Sequence, residues 1–547
     1  MPDAVRRDPA ASVDDGPPAE GAGRRPPNVL VVITDQQRAD HVGFAGNPDL
    51  RTPNLDALAA RSTVFDRAYV ANPVCSPNRS SILTGRMPSS HGVIFNDRAL
   101  PWGAETFVRP LREAGYRTAL IGKSHLQLSV DREMVPRIGR DACADGFDNS
   151  VYGWEFAERF DGDEDPTPPA DYYGFDHVEF ATDHGARMAG HHLRWALAKG
   201  ASRDDVVHPM GPDSPGDRRS PRWWQIYRPP YPAELHCTAF VAERTLAFID
   251  EATSQDRPWM AWMAFPDPHH PLTPPGKWFD RHRAEDMTPP DTFGDPLDDA
   301  PPHIRAIRAR TDGPLWVMPF GVDDPGLVRE ALAATYGMIE FIDAEVGRVL
   351  DHLEQIGVAD DTIVVFMSDN GSPSQCPRNL PLRGHKISGY EGGNRVPMIV
   401  HIPGATMGTG RCDTPVVIED VFPTFLQWAG VEDIPDNDGV SFDGMVRDPS
   451  APRGDRPLFW HYPNFYDQPP FSSVRFGDLK LIYWHQDRRI ELFDLRNDLS
   501  ETKNLAVARP DDVKRLTRLL SDHLRKSKAL MPVEKSSGKP VPLPDEV

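Results

Sequence analysis

Short, unbroken apolar runs recur along the chain at residues 29–33, 118–121, 259–265, 363–367 and 398–402. Runs without polar alternation mark strands buried on both faces, as in a parallel sheet. Stretches with helical spacing lie between some of them: 54–61 after Pro53, 107–114 stopping at Gly115, and a long amphipathic segment over 332–353 ending near Gly357. Strands alternating with helices predict an α/β fold, a large mainly parallel sheet sandwiched between helices. The pattern changes near Asp455. Residues 473–476, a Gly477-Asp478 turn and residues 479–484 predict a hairpin, followed by a third strand at 490–495 and a helix over 513–524. The expected organisation is a disordered tail over 1–27, a large domain over 28–454, a small antiparallel C-terminal subdomain of α+β type over 455–531, and a second tail over 532–547. Segments 161–169, 204–232 and 280–325 are rich in Pro, Asp and Arg and read as long surface loops.

Composition changes this picture little. The chain has 547 residues, 39% of them hydrophobic, enough for one large buried core and a smaller one. A formal net charge of -21 argues against nucleic acid and anionic membranes as partners, so an anionic substrate would need local positive charge. The five cysteines, Cys75, Cys143, Cys237, Cys376 and Cys412, form no C-x-x-C pair, which argues against a disulfide framework or a zinc cluster. The N-terminal stretch lacks an apolar signal core and no run approaches membrane-spanning length. A soluble, cytoplasmic protein is the expectation.

In open α/β sheets, ligands bind beyond the carboxyl ends of the strands. The residues that follow the apolar runs are therefore informative. Run 29–33 is followed by Thr34, Asp35 and Gln36, and run 363–367 by Ser368, Asp369, Asn370 and Gly371. Run 118–121 leads to Gly122, Lys123, Ser124 and His125, and run 259–265 to Asp267, Pro268, His269 and His270. Asp35, Gln36, Asp369 and Asn370 offer oxygen donors of the kind that calcium or magnesium prefers. Either Asp alone is read equally well as a turn cap; the two Asp–amide pairs together favour a metal.

The segment Cys75-Ser76-Pro77-Asn78-Arg79, running on to Thr84-Gly85-Arg86, is the strongest local signal. Ser76 and Pro77 read as an N-cap and a first-turn proline, which would put Cys75 at a helix N-terminus with Arg79 one turn inward. On the residues alone this is an activated thiol at an anion site.

Cys75-x-Pro77-x-Arg79 with Thr84-Gly85 resembles the signature of the sulfatase family. Other elements follow in the family's order: the strand ending at Asp35, Gly122-Lys123-Ser124-His125, Pro268-His269-His270-Pro271, Ser368-Asp369-Asn370-Gly371, and the stretch from Leu382-Arg383-Gly384-His385-Lys386 to Tyr390-Glu391-Gly392-Gly393-Asn394-Arg395-Val396-Pro397. The resemblance covers roughly residues 28–505 and implies an alkaline phosphatase-like sandwich. It also implies that a formylglycine-generating enzyme oxidises Cys75 to formylglycine. The hydrated aldehyde would attack the sulfur of a small-molecule or saccharide sulfate ester. A covalent sulfo-enzyme intermediate would follow, and a second hydroxyl would expel sulfate. By the same resemblance, a divalent metal (calcium first, with magnesium or manganese as alternatives) is held by Asp35, Gln36, residue 75, Asp369 and Asn370. Lys123 and Lys386 hold the anionic oxygens, Arg79 positions residue 75, and His125 is the candidate base. His269 contacts the sulfate or protonates the leaving oxygen, and His270 is a bystander.

Two departures stand out. Many family members carry two adjacent Asp residues where this chain has Asp35-Gln36, and an aromatic residue where it has Ser124. The same nucleophile also serves phosphonate monoester and phosphodiester hydrolases, which remain the alternative. A non-catalytic binding protein on this fold, or a plain thiol enzyme, ranks below both. Arg218, Arg219, Arg222, Trp223 and Trp224 could touch a substrate or belong to an exposed loop.

Overall fold

The computed structural model describes residues 25–96, 98–129, 147–162, 166–208, 211–289, 324–371, 381–405, 409–451, 454–464 and 469–547, with 302, 305 and 306. Nearly all of the N-terminal tail, most of loop 280–325 and parts of loops 161–169 and 204–232 lie outside these residues, as do Cys143 and Cys376.

The five apolar runs become the strands β1 (Asn28–Thr34), β3 (Arg117–Gly122), β5 (Trp259–Ala264), β6 (Thr362–Ser368) and β7 (Met398–His401), and three strands that no run marked, β2 (Thr63–Phe65), β4 (His177–Phe180) and β8 (Gly410–Cys412), join them. They form one sheet in the order β8-β2-β7-β6-β1-β5-β3-β4. The five strands from β6 to β4 are parallel, while β7 runs antiparallel to β6 and β2. All seven residues of β1 and of β6 are buried, as unalternating apolar runs require.

Helices cover both faces. On one side lie α1 (Pro53–Ala60), α3 (Cys237–Ser254) and α4 (Pro325–Gln355), which bury Leu55, Phe248, Ile342 and Val349 against Leu30 and Val364. On the other, α2 (Cys75–Thr84) packs Ile82 and Leu83 with Phe107, Phe422 and Val31. The predicted long helix extends further than expected at its start, because Asp324 caps it through the Gly326 N–H and Pro325 opens its first turn.

The edge strand β4 is held by charge as well as by its ladder. The Glu179 carboxylate accepts two bonds from Arg244 of α3 (2.7 and 3.0 Å) and pairs with His177. Burial raises its pKa, but His177 and Arg244 outweigh this and bring it to about 2. A depressed carboxylate pKa contributes stability above the unfolded value near 4.5, and that stability is lost as pH falls through the folded value. Glu179→Gln is therefore expected to cost on the order of 2–3 kcal/mol at pH 7. By urea unfolding, the gap between variant and parent should stay constant from pH 7 to about 5 and narrow below about 4.5.

The C-terminal sheet has four strands, β9 (Leu458–Tyr462), β10 (Phe471–Phe476), β11 (Leu479–Trp484) and β12 (Arg489–Asp494), each antiparallel to the next. The first of them is additional to the predicted hairpin and third strand. Helix α5 (Pro510–Lys526) covers one face through Leu516, Leu520 and Leu524. The other face packs Trp460, Phe471, Ile482 and Trp484 against Tyr69, Val74 and Tyr390 of the large domain. Residues 532–547, expected as a tail, return along this subdomain. Pro542 accepts from the Tyr483 hydroxyl at 3.0 Å, and Asp545 pairs with Arg525 at 2.8 Å. No helix among the described residues is long and apolar enough to cross a membrane.

Candidate active site

Parallel register brings four strand ends to one edge. Thr34 lies opposite Ser368, Ile33 opposite Ala264, and Gly122 opposite Ala264. The ends are laced together by backbone bonds: Asp35 N–H to the Asp267 carbonyl (3.1 Å), Asp369 N–H to Thr34 (3.0 Å) and Lys123 N–H to Ala264 (2.9 Å). Gly122 makes this spacing possible. A Cβ there would stand 1.9 Å from the Ala264 carbonyl oxygen, and its φ of 108° excludes other residues.

Helix α2 brings Cys75 to that edge. Its N-cap is Val74, two residues earlier than the sequence pattern suggested, so Ser76 and Pro77 lie inside the first turn and Cys75 is the first helical residue. All ten residues of α2 are buried, including six polar ones, so the helix is held by specific bonds. Asn78 accepts from Ala71 N–H (2.9 Å) and donates to the Asp369 carbonyl (2.7 Å). Gly85 ends the helix at φ 61°, with Phe422 where a side chain would go. This explains the Thr84-Gly85 pair.

Around the Cys75 sulfur stand Lys386 Nζ (2.9 Å), Asn370 Nδ2 (3.3 Å) and Asp35 Oδ1 (3.5 Å). Arg79 donates from Nε to Asp369 Oδ2 (2.7 Å) and from Nη1 to the Lys123 carbonyl (2.8 Å), tying the helix to two strand ends. Lys123 Nζ bonds Asp35 Oδ2 and His184 Nε2 (2.7 Å). Gln36, at φ 66°, gives its backbone N–H to Asp369 (3.1 Å). Its side-chain oxygen accepts from Lys386 (2.9 Å), and its Nε2 faces His270 Nδ1 (3.3 Å). His125, at φ 54°, is fixed by Glu155, whose carboxylate accepts the N–H groups of His125, Leu126 and Gln127 at 2.7–3.0 Å. Its Nδ1 is buried without a hydrogen-bond partner. Ser124 turns away to Tyr172 (3.1 Å).

The histidines form a stack. The His184 and His269 rings lie 4.1 Å apart, as do those of His269 and His270. His269 Nδ1–H donates to the His270 carbonyl at 2.6 Å, which leaves Nε2 as an acceptor. Burial is the first cause holding His125, His269 and His270 well below the usual imidazole range. Neighbouring Lys123 and Lys386 add to it.

The two carboxylates differ. Burial raises both, but Lys123, His269, His184 and Lys386 hold Asp35 well below its ordinary value. Asp369 stays raised, since Asp35 repels its charge more than Arg79 attracts it. Burial also pushes the Cys75 thiol up, with Asp35 adding to it and the lysines opposing. With no cation bound, these electrostatics do not favour the thiolate. The helix end and two lysines do not offset complete desolvation beside a carboxylate.

The oxygen donors, as distinct from the Cys75 sulfur, suit a hard cation. Asp35, Asp369 and Cys75 present ligating atoms within 4.8 Å of one another, and Asn370 Oδ1 is buried with no hydrogen-bond partner. Gln36 is in place, but its oxygen is committed to Lys386. His184, which sequence reading passed over, and His270, read as a bystander, both belong to the site. Of the loop residues, Arg222 pairs with Asp324 (2.9 Å) and Arg218 with Asp280, whereas Trp223, buried in an apolar cluster, lies with its ring 6.5 Å from that of His270.

Two lysines, Arg79 on the first turn of α2 and two carboxylates thus gather around residue 75 at one edge of the sheet. The sulfatase family profile matches residues 27–431, and a profile for the C-terminal part of N-sulphoglucosamine sulphohydrolase matches 385–529. The chain is 28% identical to an arylsulfatase of Clostridium perfringens, covering 88% of this chain and 90% of that one. It is 30% identical to the steryl-sulfatase of Mus musculus, covering 83% and 70%. The solved structure of a phosphonate monoester hydrolase from Silicibacter pomeroyi shares the fold, with a TM-score of 0.69 at 22% identity over 94% of this chain and 99% of that one. The chain belongs to the sulfatase family and is a sulfuric ester hydrolase.

Proposed function

We propose that this protein cleaves sulfate monoesters of small alcohols, phenols or saccharides through formylglycine made from Cys75, by way of a covalent sulfo-enzyme, with one divalent metal. The observation that carries this is the closure of Lys386, Asn370 and Asp35 on the Cys75 sulfur within 3.5 Å. Lys386 and Asn370 would stabilise negative charge developing at residue 75, and Asp35 beside them would help hold the metal.

The metal would be held by Asp35, Asp369, Asn370 and residue 75, with Gln36 available if Lys386 lets go of it. When bound, it lowers the charge on sulfate oxygens and favours the ionised nucleophile. Calcium fits the all-oxygen donor set best, with magnesium or manganese as alternatives. Lys386 and Lys123 would hold two sulfate oxygens. Arg79 fixes the first turn of α2 against Asp369 and so orients residue 75. His125, neutral and with Nδ1 unengaged, would take the proton that releases sulfate. An incoming anion raises the pKa of the His184–His269–His270 stack, and His269 Nε2 would then give a proton to the leaving oxygen.

Phosphonate monoesters are the second reading. The Asp35–Gln36 pair, where many family members carry two carboxylates, leaves this reading open. Mass spectrometry across Cys75, on protein coexpressed with a formylglycine-generating enzyme, should find the aldehyde or its hydrate. Parallel turnover of an aryl sulfate and an aryl phosphonate monoester should favour the sulfate. An unmodified thiol in protein that still turns over either substrate would refute the mechanism, and a higher rate on the phosphonate would reverse the assignment of substrate.

A further inference from the structure

The loop that carries Lys386 is anchored on the C-terminal subdomain at both ends. Before the lysine, Arg383 donates to the Glu501 carbonyl and its guanidinium lies 5.0 Å from the centre of the Tyr390 ring. After it, the Tyr390 hydroxyl donates to Glu491 (2.7 Å) and the Glu391 N–H to Glu501 Oε2 (2.7 Å). The Glu391 carboxylate in turn meets Lys480 Nζ (2.9 Å) and the Tyr69 hydroxyl (2.7 Å). Lys480 also holds Glu501 at 2.9 Å. The side chains of Glu391, Lys480 and Glu501 are 0–1% exposed.

Two carboxylates sharing one lysine in a dry interface are a poor device for stability. Desolvation of buried charges often exceeds the attraction between them, and an apolar triad of the same volume would hold the two domains at least as well. What the charged triad provides is direction. Its bonds accept one loop conformation, and that conformation delivers Lys386 Nζ to within 2.9 Å of both Cys75 Sγ and Gln36 Oε1. Tyr69 extends the same network to the strand that leads into α2, with Arg475 of the C-terminal sheet donating to its hydroxyl.

We infer that Glu501 and Lys480 of the C-terminal subdomain are positioning residues for the sulfatase reaction, acting through Glu391 to fix Lys386 over residue 75. This rests on the role given to Lys386 above. The test is a double-mutant cycle on aryl sulfate turnover. Glu501→Gln, which keeps the shape and an acceptor, is expected to lower kcat by about tenfold or more when Lys386 is present, and by less than about twofold in a Lys386→Ala background. Lys480→Gln, at the other proposed positioning residue, should show the same dependence on Lys386 and covers the case in which Glu501→Gln fails to fold. Equal losses in both backgrounds would overturn the proposal and leave the triad a purely structural tie. So would unchanged kcat in folded Glu501→Gln. If Lys386→Ala alone leaves turnover intact, the role of Lys386 itself falls, and the positioning role with it.

Discussion

Cys75→Ala is expected to lower turnover of an aryl sulfate by on the order of 10⁴-fold or more while leaving the fold in place. The side chain is 1% exposed and its sulfur makes polar contacts with Lys386, Asn370 and Asp35. Its loss would remove the proposed reacting atom but only a small volume, and no buried charge, since burial and Asp35 favour the neutral thiol. Steady-state rates and a thermal unfolding curve on the same sample separate the two effects. Retention of activity within about tenfold of the parent would place the nucleophile elsewhere.

Asp369→Asn should produce the largest loss of stability within the site. The carboxylate accepts from Arg79 Nε (2.7 Å), Asn370 Nδ2 (2.6 Å) and the Gln36 N–H (3.1 Å). An amide in its place takes away the direct ion-pair partner of the buried Arg79 charge, leaving Asp35 further off, and Arg79 Nη2 already lacks a partner. Breaking one side of such a pair costs about 3–5 kcal/mol. The same change removes one of the two carboxylates available to a cation. Urea unfolding with and without a chelator tests both parts: the parent should lose stability when calcium is withdrawn, and the variant should start lower and not respond. A variant as stable as the parent, and equally responsive to calcium, would exclude both roles.

The sheet and the convergence of its strand ends were legible because fully buried parallel strands leave uninterrupted apolar runs, and the polar residues after each run stand out. The Cys75 helix was legible through Pro77, Arg79 and Gly85, but its start was misplaced by two residues. Ser76 fits a cap chemically, yet the helix begins at Cys75 with its Ser76 N–H satisfied by Asn96 instead (3.1 Å). Helix α3 was missed although Phe240, Val241, Phe248, Ile249 and Ala252 follow helical spacing, because the Pro-rich stretch before it reads as loop. His184 offered no such signal. It follows β4, a four-residue edge strand whose His177 and Glu179 are half-buried and polar, so no apolar run points to it. The Lys386 loop was recognised only by resemblance. Its conformation depends on Glu491 and Glu501, more than a hundred residues further on, and no local pattern encodes such a bond.

The burial of every residue of α2 has a consequence for biosynthesis. A second protein cannot reach the Cys75 sulfur once β1, β6 and the Lys386 loop have closed over it. Any enzyme that oxidises this side chain must therefore work on the chain before it folds. Cys75 emerges early, whereas Asp369, Lys386, Lys480 and Glu501 are made roughly 300 to 430 residues later. At ribosomal rates of about 5–20 residues per second, that leaves a window of roughly 15–90 s in which the nascent chain displays its cysteine and the site does not yet exist. On the mechanism proposed above, faster synthesis or earlier compaction would shorten this window, and the yield of active enzyme would depend on translation speed as well as on the sequence.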